Sequence, residues 1–450
     1  MKSISRLIAL LLCLCFVFCG CMKKTPTKDR DAYEVALENG FVGTEEEWLA
    51  SLKGKSAYEL WLDNGNSGTV EDFLNSLSTT INHHTVNITA PDTISAAVSK
   101  ALMSVVSVYA EFTQTVMYRD GYRWETREEN YSAAGSGVIY QLNKTSGDAY
   151  IITNYHVVYD IQNESTETGI SHAIKLYLYG MEYDEYAIPA SYVGGSLYYD
   201  IAILRVSGSD VLRTSSAMAA ELLPKEKDIT VGQTAIAVGN PEAYGISATS
   251  GIVCVDSEHI TMRAADNSGN VTMRVMRIDT PINSGNSGGG LFDSQGRLIG
   301  ITNAKIVDGQ TENIAYAIPV QVADNVAQNI IHYCADGTKD RVQRCILGIT
   351  LGTESSKAIY DSQTGQVNVE EVVSVSSVTE ASLADGLLAV DDVIQSITIN
   401  GENYKITRTF KLIDAMLNVR VGQTVVFHIL RAGKAMDVAI TISADCVTPY

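Results

Sequence analysis

The chain has 450 residues, of which 46% are hydrophobic and 19% are charged, and its formal net charge is −19. This length predicts two or three domains, and the composition is that of an ordinary globular protein. The acidic charge argues against nucleic acid or anionic lipid as a main partner, because both are themselves negatively charged.

The first twenty residues have the pattern of an export signal. Two basic residues precede an apolar run over residues 7–18, which is too short to span a bilayer easily. A small residue followed by Cys21 resembles a lipoprotein cleavage site, so we predict residues 1–20 as signal peptide and Cys21 as the lipidated first residue. Phe18 departs from the usual leucine, which leaves a plain secretory signal or an uncleaved anchor open. All three place the protein outside the cytoplasm, lipid-anchored to the bacterial cell membrane or secreted.

A repeat follows the signal. Residues 32–52 recur as residues 57–77, and each copy predicts a short helix ended by Asn-Gly and then a Thr-capped helix with an acidic first turn. Two copies are fewer than a self-standing solenoid needs. We predict residues 21–94 as a helical repeat spacer and linker. A module that binds the cell wall or a partner protein is the alternative.

Three motifs farther along carry the residues of a nucleophilic site. His156 follows an apolar strand in TNYHVV, Asp200 opens the apolar strand DIAILRV, and Ser287 stands among glycines in GNSGGGLFD. In this combination the serine attacks a carbonyl, the histidine takes its proton and the aspartate holds the imidazole tautomer. Glycines beside the serine allow a carbonyl to approach closely. We therefore predict His156, Asp200 and Ser287 as catalytic residues.

With GSGVIY before them and NIAYAIP after them, these motifs strongly resemble the HtrA/DegP family of serine proteases. The resemblance implies a mainly β fold, with a two-barrel chymotrypsin-like protease domain at residues 95–325. It also implies no cofactor, a homotrimeric assembly, and oxyanion donors at the backbone N–H groups of Gly285 and Ser287. A pocket for small or medium aliphatic side chains is expected from Pro281, Ile282, Ile301, Thr302 and Asn303.

Two segments around this domain have their own patterns. Residues 111–134 carry mixed charge and aromatic rings and are predicted to interrupt the strands of the first barrel. They form either a loop that regulates the site or mediates assembly, as in the family, or a solvated hairpin. An amphipathic helix is predicted after Pro319, with apolar residues at i, i+4 and i+8 from Val322. Residues 326–344 are assigned as the linker helix.

From Cys345 the chain resembles a PDZ domain, which we assign to residues 345–443. In such a domain an extended peptide adds a strand to a sheet edge beside a helix, and backbone N–H groups capture its terminal carboxylate. The pair Asp391-Asp392 stands where Gly-Asp is usual, and the proline typical upstream is missing. Peptide-binding residues are expected at Ile346, Leu347, Gly348 and Ile349.

Other histidines and cysteines point to no further chemistry. No metal site is predicted, because the remaining histidines lack the spacing of a closed site, namely His83, His84, His172, His259, His332 and His428. Four cysteines allow up to two disulfides in an exported chain, with the pairing left open, namely Cys254, Cys334, Cys345 and Cys446.

The resemblance therefore implies an extracytoplasmic, membrane-tethered serine endopeptidase that cleaves misfolded or regulatory proteins through an acyl-enzyme at Ser287. Its PDZ domain would recognise C-terminal or extended peptides. One alternative is a surface lipoprotein that binds unfolded chains and carries a latent or inert triad. Another is a chymotrypsin-like protease of narrow specificity that serves one signalling cleavage.

Overall fold

The computed structural model describes residues 93–120, 122–304, 314–362 and 365–450, with the isolated positions 37, 42–44, 62, 63, 65 and 67–69. The chain divides into two units, Met1–Ile88 and Thr89–Tyr450, and the strands of both predicted barrels belong to the second. The predicted signal peptide, Cys21 and nearly all of the repeat segment lie outside the described residues. Within the described ranges, no helix is long and apolar enough to cross a membrane.

The first barrel is built from six antiparallel strands that close in the order β1-β2-β3-β6-β5-β4. Its strands are β1 (Val105–Asp120), β2 (Arg123–Asn143), β3 (Asp148–Thr153), β4 (Ala173–Leu178), β5 (Ile188–Ser196) and β6 (Ile201–Val206). Helix α1 (Thr93–Leu102) precedes the barrel, and the short helices α2 (Tyr155–Val158) and α3 (Asp210–Thr214) follow β3 and β6. Valine, isoleucine and leucine side chains from every strand fill the interior.

The second barrel has the same plan and closes in the order β10-β11-β12-β9-β8-β7. Its strands are β7 (Thr234–Gly239), β8 (Ser247–Arg263), β9 (Asn270–Ile278), β10 (Gly290–Phe292), β11 (Leu298–Asn303) and β12 (Ala315–Pro319). The prediction of a mainly β fold with two barrels is confirmed.

Strands β1 and β2 form one long hairpin that is paired along the whole of Val105–Asp120. The prediction that residues 111–134 interrupt the strands is therefore wrong. Beyond the barrel both strands are mostly exposed, and the side chain of Trp124 is 67% accessible. Charged and polar residues can pair there through their backbones without burying a core, so the part of this hairpin beyond the barrel is solvated.

One hydrophobic core runs through the contact between the barrels and includes residues of α1 and of α4 (Val320–Cys334). Helix α4 is the helix predicted after Pro319, and its residues at i, i+4 and i+8 from Val322 are buried against the barrels. Because the helix begins directly after Pro319, the predicted start of the linker helix at residue 326 lies inside α4.

The PDZ-like module, residues 345–443, has a separate hydrophobic core. Its sheet has the strand order β14-β15-β16-β18-β19, with β17 paired to β16. Its elements are β14 (Ile349–Asp361), β15 (Gln366–Val378), β16 (Val393–Ile399), β17 (Glu402–Lys405), helix α5 (Thr409–Met416), β18 (Thr424–Arg431) and β19 (Lys434–Thr441).

After the module the chain returns to the linker. Strand β20 (Val447–Pro449) pairs antiparallel with β13 (Gln343–Cys345). The residues before β13 run beside β5, because the N–H of Gly195 donates to the carbonyl of Asp340 at 3.0 Å and the N–H of Val342 donates to the carbonyl of Gly195 at 3.1 Å. The cysteines of the described ranges are free thiols, namely Cys254, Cys334, Cys345 and Cys446.

The unusual Asp391-Asp392 pair has two separate structural roles. Asp391 has a φ of 68°, in the left-handed region where aspartate is tolerated better than most residues. Asp392 is fully buried and accepts hydrogen bonds from the guanidinium of Arg431 and the N–H of Ala389. Burial opposes its ionisation, but these hydrogen bonds outweigh burial and hold the pKa of Asp392 below its ordinary value.

We expect Arg431→Ala to lower the local opening free energy of β16 and β18, measured by amide hydrogen exchange. The loss should be about 2 kcal/mol, less than for a fully buried pair because water screens the guanidinium, which is 37% exposed. Because the pKa of Asp392 is lowered, this stabilisation is present above the ordinary aspartate pKa and disappears as pH falls through the lowered value. Lys434→Ala, which removes an exposed cation from the neighbouring strand, is the control, and an equal effect of both changes contradicts the assignment.

Candidate active site

The three residues predicted as catalytic lie on elements of both barrels. His156 is in α2 directly after β3, Asp200 ends the turn before β6, and Ser287 is in the turn before β10. His156 and Ser287 line one cleft of about 440 Å³. The fold therefore brings the imidazole and the hydroxyl to a shared cavity, although the two residues belong to different barrels.

Asp200 holds His156 at two points. The imidazole Nδ1 lies 2.7 Å from Oδ2 of Asp200, and the backbone N–H of His156 donates to Oδ1 at 3.0 Å. The side-chain amide of Asn303 donates to the same Oδ2 at 2.7 Å. Because a carboxylate accepts at this distance, the Nδ1 proton belongs to this contact and Nε2 is left as an acceptor.

The backbone around Asp200 is also fixed. Its φ is 49°, in the left-handed region that residues other than glycine seldom adopt. Its carbonyl accepts from the N–H of Tyr155 at 3.2 Å and from the side-chain amide of Asn154 at 2.8 Å. The carbonyl and the carboxylate of Asp200 thus both bind the first turn of α2. These contacts fix His156 relative to Asp200.

The hydroxyl of Ser287 has a different partner. Its Oγ accepts the backbone N–H of Ala304 at 3.2 Å. Within the described ranges, no hydrogen bond joins Oγ to His156. Catalytic hydrogen bonds are often long in a free enzyme and shorten when substrate binds, so this geometry is compatible with the predicted pairing of Ser287 with His156.

The turn before Ser287 is held from both sides. The carbonyl of Ser284 accepts the N–H of Glu242 at 2.8 Å, and the carbonyl of Gly285 accepts the hydroxyl of Ser136 at 2.7 Å. In a trans peptide the C=O and N–H point in opposite directions, so the first bond turns the N–H of Gly285 away from Glu242. Among the described residues, neither this N–H nor that of Ser287 has a hydrogen-bond acceptor. Both are available to an oxyanion.

The walls of the cleft come from residues that the sequence did not indicate, namely Tyr159, Asp160, Ile161, Ala265, Ser284 and Ala304. Residues 159–161 directly follow α2. Their closeness to His156 along the chain is the sequence signal that could have predicted them as walls of the cleft. The hydroxyl of Tyr131 donates to Asp160 at 2.7 Å. Burial and this hydrogen bond raise the pKa of Tyr131 to about 12. This hydrogen bond fixes one wall of the cleft.

The residues predicted as the substrate pocket do not line this cleft. Their side chains have other environments, since Ile301, Thr302 and Asn303 are fully buried. The hydroxyl of Thr302 donates to the backbone of the Ser287 turn, and the amide of Asn303 is bonded to the carboxylate of Asp200. Pro281 is exposed and Ile282 is buried, both away from the cavity.

A second cavity, of about 680 Å³, lies between β14 and α5. The four residues predicted to bind peptide, 346–349, line it together with Leu412, Ile413 and Met416 of α5. Gly348 has a φ of +80°, and a Cβ there would lie 2.2 Å from Cβ of Ser382. The loop therefore requires glycine to reach this groove between sheet edge and helix.

Comparison with known proteins identifies the family. A sequence model described as the trypsin-like peptidase domain matches residues 135–301. The Serine protease Do-like HtrA of Lactococcus lactis subsp. lactis (strain IL1403) is 31% identical over 375 residues, which cover 78% of this chain and 82% of that relative. The chain belongs to the HtrA family of serine proteases. As a member of this family it is a serine endopeptidase, and the predicted enzyme class is confirmed.

Further members of the HtrA family align over most of this chain. The periplasmic pH-dependent serine endoprotease DegQ of Escherichia coli (strain K12) is 31% identical over 335 residues, which cover 71% of this chain and 63% of that relative. A solved structure, the HtrA-type protease AlgW with decapeptide, aligns with 79% of this chain and 99% of its own chain, at a TM-score of 0.48 and 24% identity.

On the prediction that the N–H of Gly285 is an oxyanion donor, Gly285→Ala should lower the hydrolysis of casein by about 100-fold or more, the cost of losing such a donor. A Cβ at this position would lie 2.2 Å from the carbonyl oxygen of Asn240, and the φ of Gly285 is +91°, so the turn cannot keep its shape. Gly232→Ala is a matched control, because Gly232 has a φ of +86° and open space around it. An equal loss in both variants contradicts a specific role of the Gly285 turn.

Proposed function

We propose that His156, Asp200 and Ser287 are the catalytic triad of this endopeptidase, which hydrolyses peptide bonds through an acyl-enzyme at Ser287. The observation that carries the proposal is the two-point contact of Asp200 with His156, in a unit whose imidazole shares a cleft with the Ser287 hydroxyl. Asp200 leaves Nε2 as the group that takes the serine proton and returns it to the leaving amine.

The acyl-transfer step needs donors for the oxyanion of the tetrahedral intermediate. The backbone N–H groups of Gly285 and Ser287 serve this purpose in our proposal. In the resting site Ser287 donates nothing to His156, so substrate binding has to bring Oγ to Nε2. This movement breaks the hydrogen bond from the N–H of Ala304 to Oγ and replaces it with one from Oγ to Nε2.

We assign residues 345–443 as a PDZ domain that captures C-terminal or extended peptides of the protein substrate. The support is the groove between β14 and α5, in which the backbone of residues 347–349 lines the cavity and α5 offers apolar side chains, while the N–H of Ile346 is bonded to the carbonyl of Cys446. An extended peptide would add a strand beside β14 and place its last side chain against Leu412 and Met416.

The substrates proposed are misfolded or regulatory proteins, cleaved outside the cytoplasm. The signal-like residues 1–20 and Cys21 support export and anchoring by lipid, and relatives named as periplasmic agree with an extracytoplasmic site. Assembly as a homotrimer is part of the same proposal. A peptide-library cleavage profile separates broad turnover from one narrow signalling cleavage.

The decisive test is casein turnover by the full chain and by its Ser287→Ala variant. We expect the variant to lose activity down to background, because it lacks the hydroxyl that forms the proposed acyl-enzyme. Equal turnover by both proteins contradicts the catalytic role of Ser287. Labelling with a serine-reactive fluorophosphonate, with and without a hydrophobic C-terminal peptide, then tests the resting geometry. Labelling that rises with peptide supports a latent triad that binding activates.

The groove proposal has its own test. Ile413→Lys places a cation in the groove from α5, and Ile413 is 38% exposed, so the fold should be kept. The Kd for a fluorescent peptide with an apolar C-terminus should rise about tenfold or more, since burying an unpaired charge is costly. Val421→Lys, at a position 46% exposed in the same module, is the control. Unchanged affinity in Ile413→Lys contradicts peptide binding in this groove.

A further inference from the structure

The turn that carries Asp200 is clamped by a distant part of the chain. Residues 197–200 connect β5 to β6, and inside the turn the N–H of Tyr199 donates to the hydroxyl of Ser196 at 3.3 Å. Asp200 ends this turn in its left-handed conformation. A residue in that conformation persists only where its surroundings hold it, so contacts to the turn bear on the position of the carboxylate.

Tyr450 provides such contacts. Its ring is stacked on that of Tyr198, with ring centroids 4.3 Å apart and an interplanar angle of 20°, and its centroid lies 5.8 Å from that of Tyr199. Both partners belong to the turn, and they directly precede Asp200 in the chain. Aromatic pairs of this kind add attraction beyond the area that they bury.

Tyr450 is itself held by the linker. Its backbone N–H donates to the carbonyl of Val342 at 2.8 Å, and the guanidinium of Arg344 lies 4.6 Å from the centre of its ring. The preceding strand β20 pairs with β13, and the linker before β13 is bonded to Gly195 in β5. The turn of residues 197–200 therefore lies between the end of β5 and the ring of Tyr450.

We propose that Tyr450 is a positioning residue for catalysis, which fixes the turn of Asp200 through its contacts with Tyr198 and Tyr199. The inference rests on the proposed role of Asp200 in the triad. The ring of Tyr450 holds Tyr198 and Tyr199, and these hold the backbone from which the Asp200 carboxylate orients His156.

The test compares kcat and KM of the full-length protein and its variants on a short chromogenic peptide that does not fill the groove. We expect Tyr450→Ala to lower kcat about tenfold or more, because a misplacement of about 1 Å near the chemistry costs up to about 100-fold. KM should stay within about twofold, since the binding cleft is unchanged. Tyr450→Phe keeps the ring and should restore kcat.

Tyr198→Ala is a second variant, because Tyr198 is 40% exposed and its removal opens no core. It should lower kcat in the same way, and the double variant with Tyr450→Ala should be no worse than either single one, as expected for residues that act through one contact. Tyr360→Ala, which removes a tyrosine 67% exposed on β14, is the matched control with wild-type kcat.

Three results separate the explanations. If Tyr450→Ala and Tyr198→Ala both keep the wild-type kcat, the positioning role of Tyr450 is wrong. This holds even where Ser287→Ala is inactive and the proposed triad is supported. A loss of kcat that follows thermal unfolding of Tyr450→Ala, with normal kcat in Tyr198→Ala, also overturns the positioning role. Activity in Ser287→Ala overturns the proposed triad, on which the clamp depends.

Discussion

The carboxylate of Asp200 is the group on which the geometry of the site depends. It is only 5% exposed, and a buried charge is costly unless hydrogen bonds satisfy it. Two of its donors come from His156 in the first barrel and the third is Asn303 of the second barrel. Separating the barrels would leave this carboxylate short of a donor, so the requirement to satisfy one buried charge aligns the two halves of the cleft.

A serine of the first barrel makes the reciprocal connection. The hydroxyl of Ser136 accepts the N–H of Asn240 at 2.8 Å and donates to the carbonyl of Gly285, and its backbone N–H donates to the carbonyl of Ser287. Both partners in the Ser287 turn belong to the second barrel. The Ser287 turn is thus held from the first barrel, while the contact of His156 with Asp200 is completed from the second. Neither barrel alone contains a complete site.

The family resemblance predicted the barrels, and the motifs predicted the grouping of His156, Asp200 and Ser287, because short motifs fix the local backbone around these residues. It did not predict side-chain direction in β11, since a strand buried on both faces shows no alternation from which to read it. The sequence also did not predict the strand pairing of residues 111–134. The solvated part of that hairpin shows no apolar periodicity from which pairing could be inferred. The contact of Tyr450 with Tyr198 joins residues that are far apart in the chain, and no local pattern encodes it.

The position of α4 bears on how this protein can be divided. The helix spans the predicted end of the protease domain at residue 325, and Ile330 and Cys334 in its second half pack so closely on Gly194 that a Cβ there would lie 2.9–3.1 Å from their side chains. A chain truncated at residue 325 would lose the second half of α4 and expose the apolar surface around Gly194 that it covers. It would also uncover the edge of β5 where the linker is bonded to Gly195. An isolated protease domain ending there is therefore prone to self-association, and a stable fragment has to retain the linker as well.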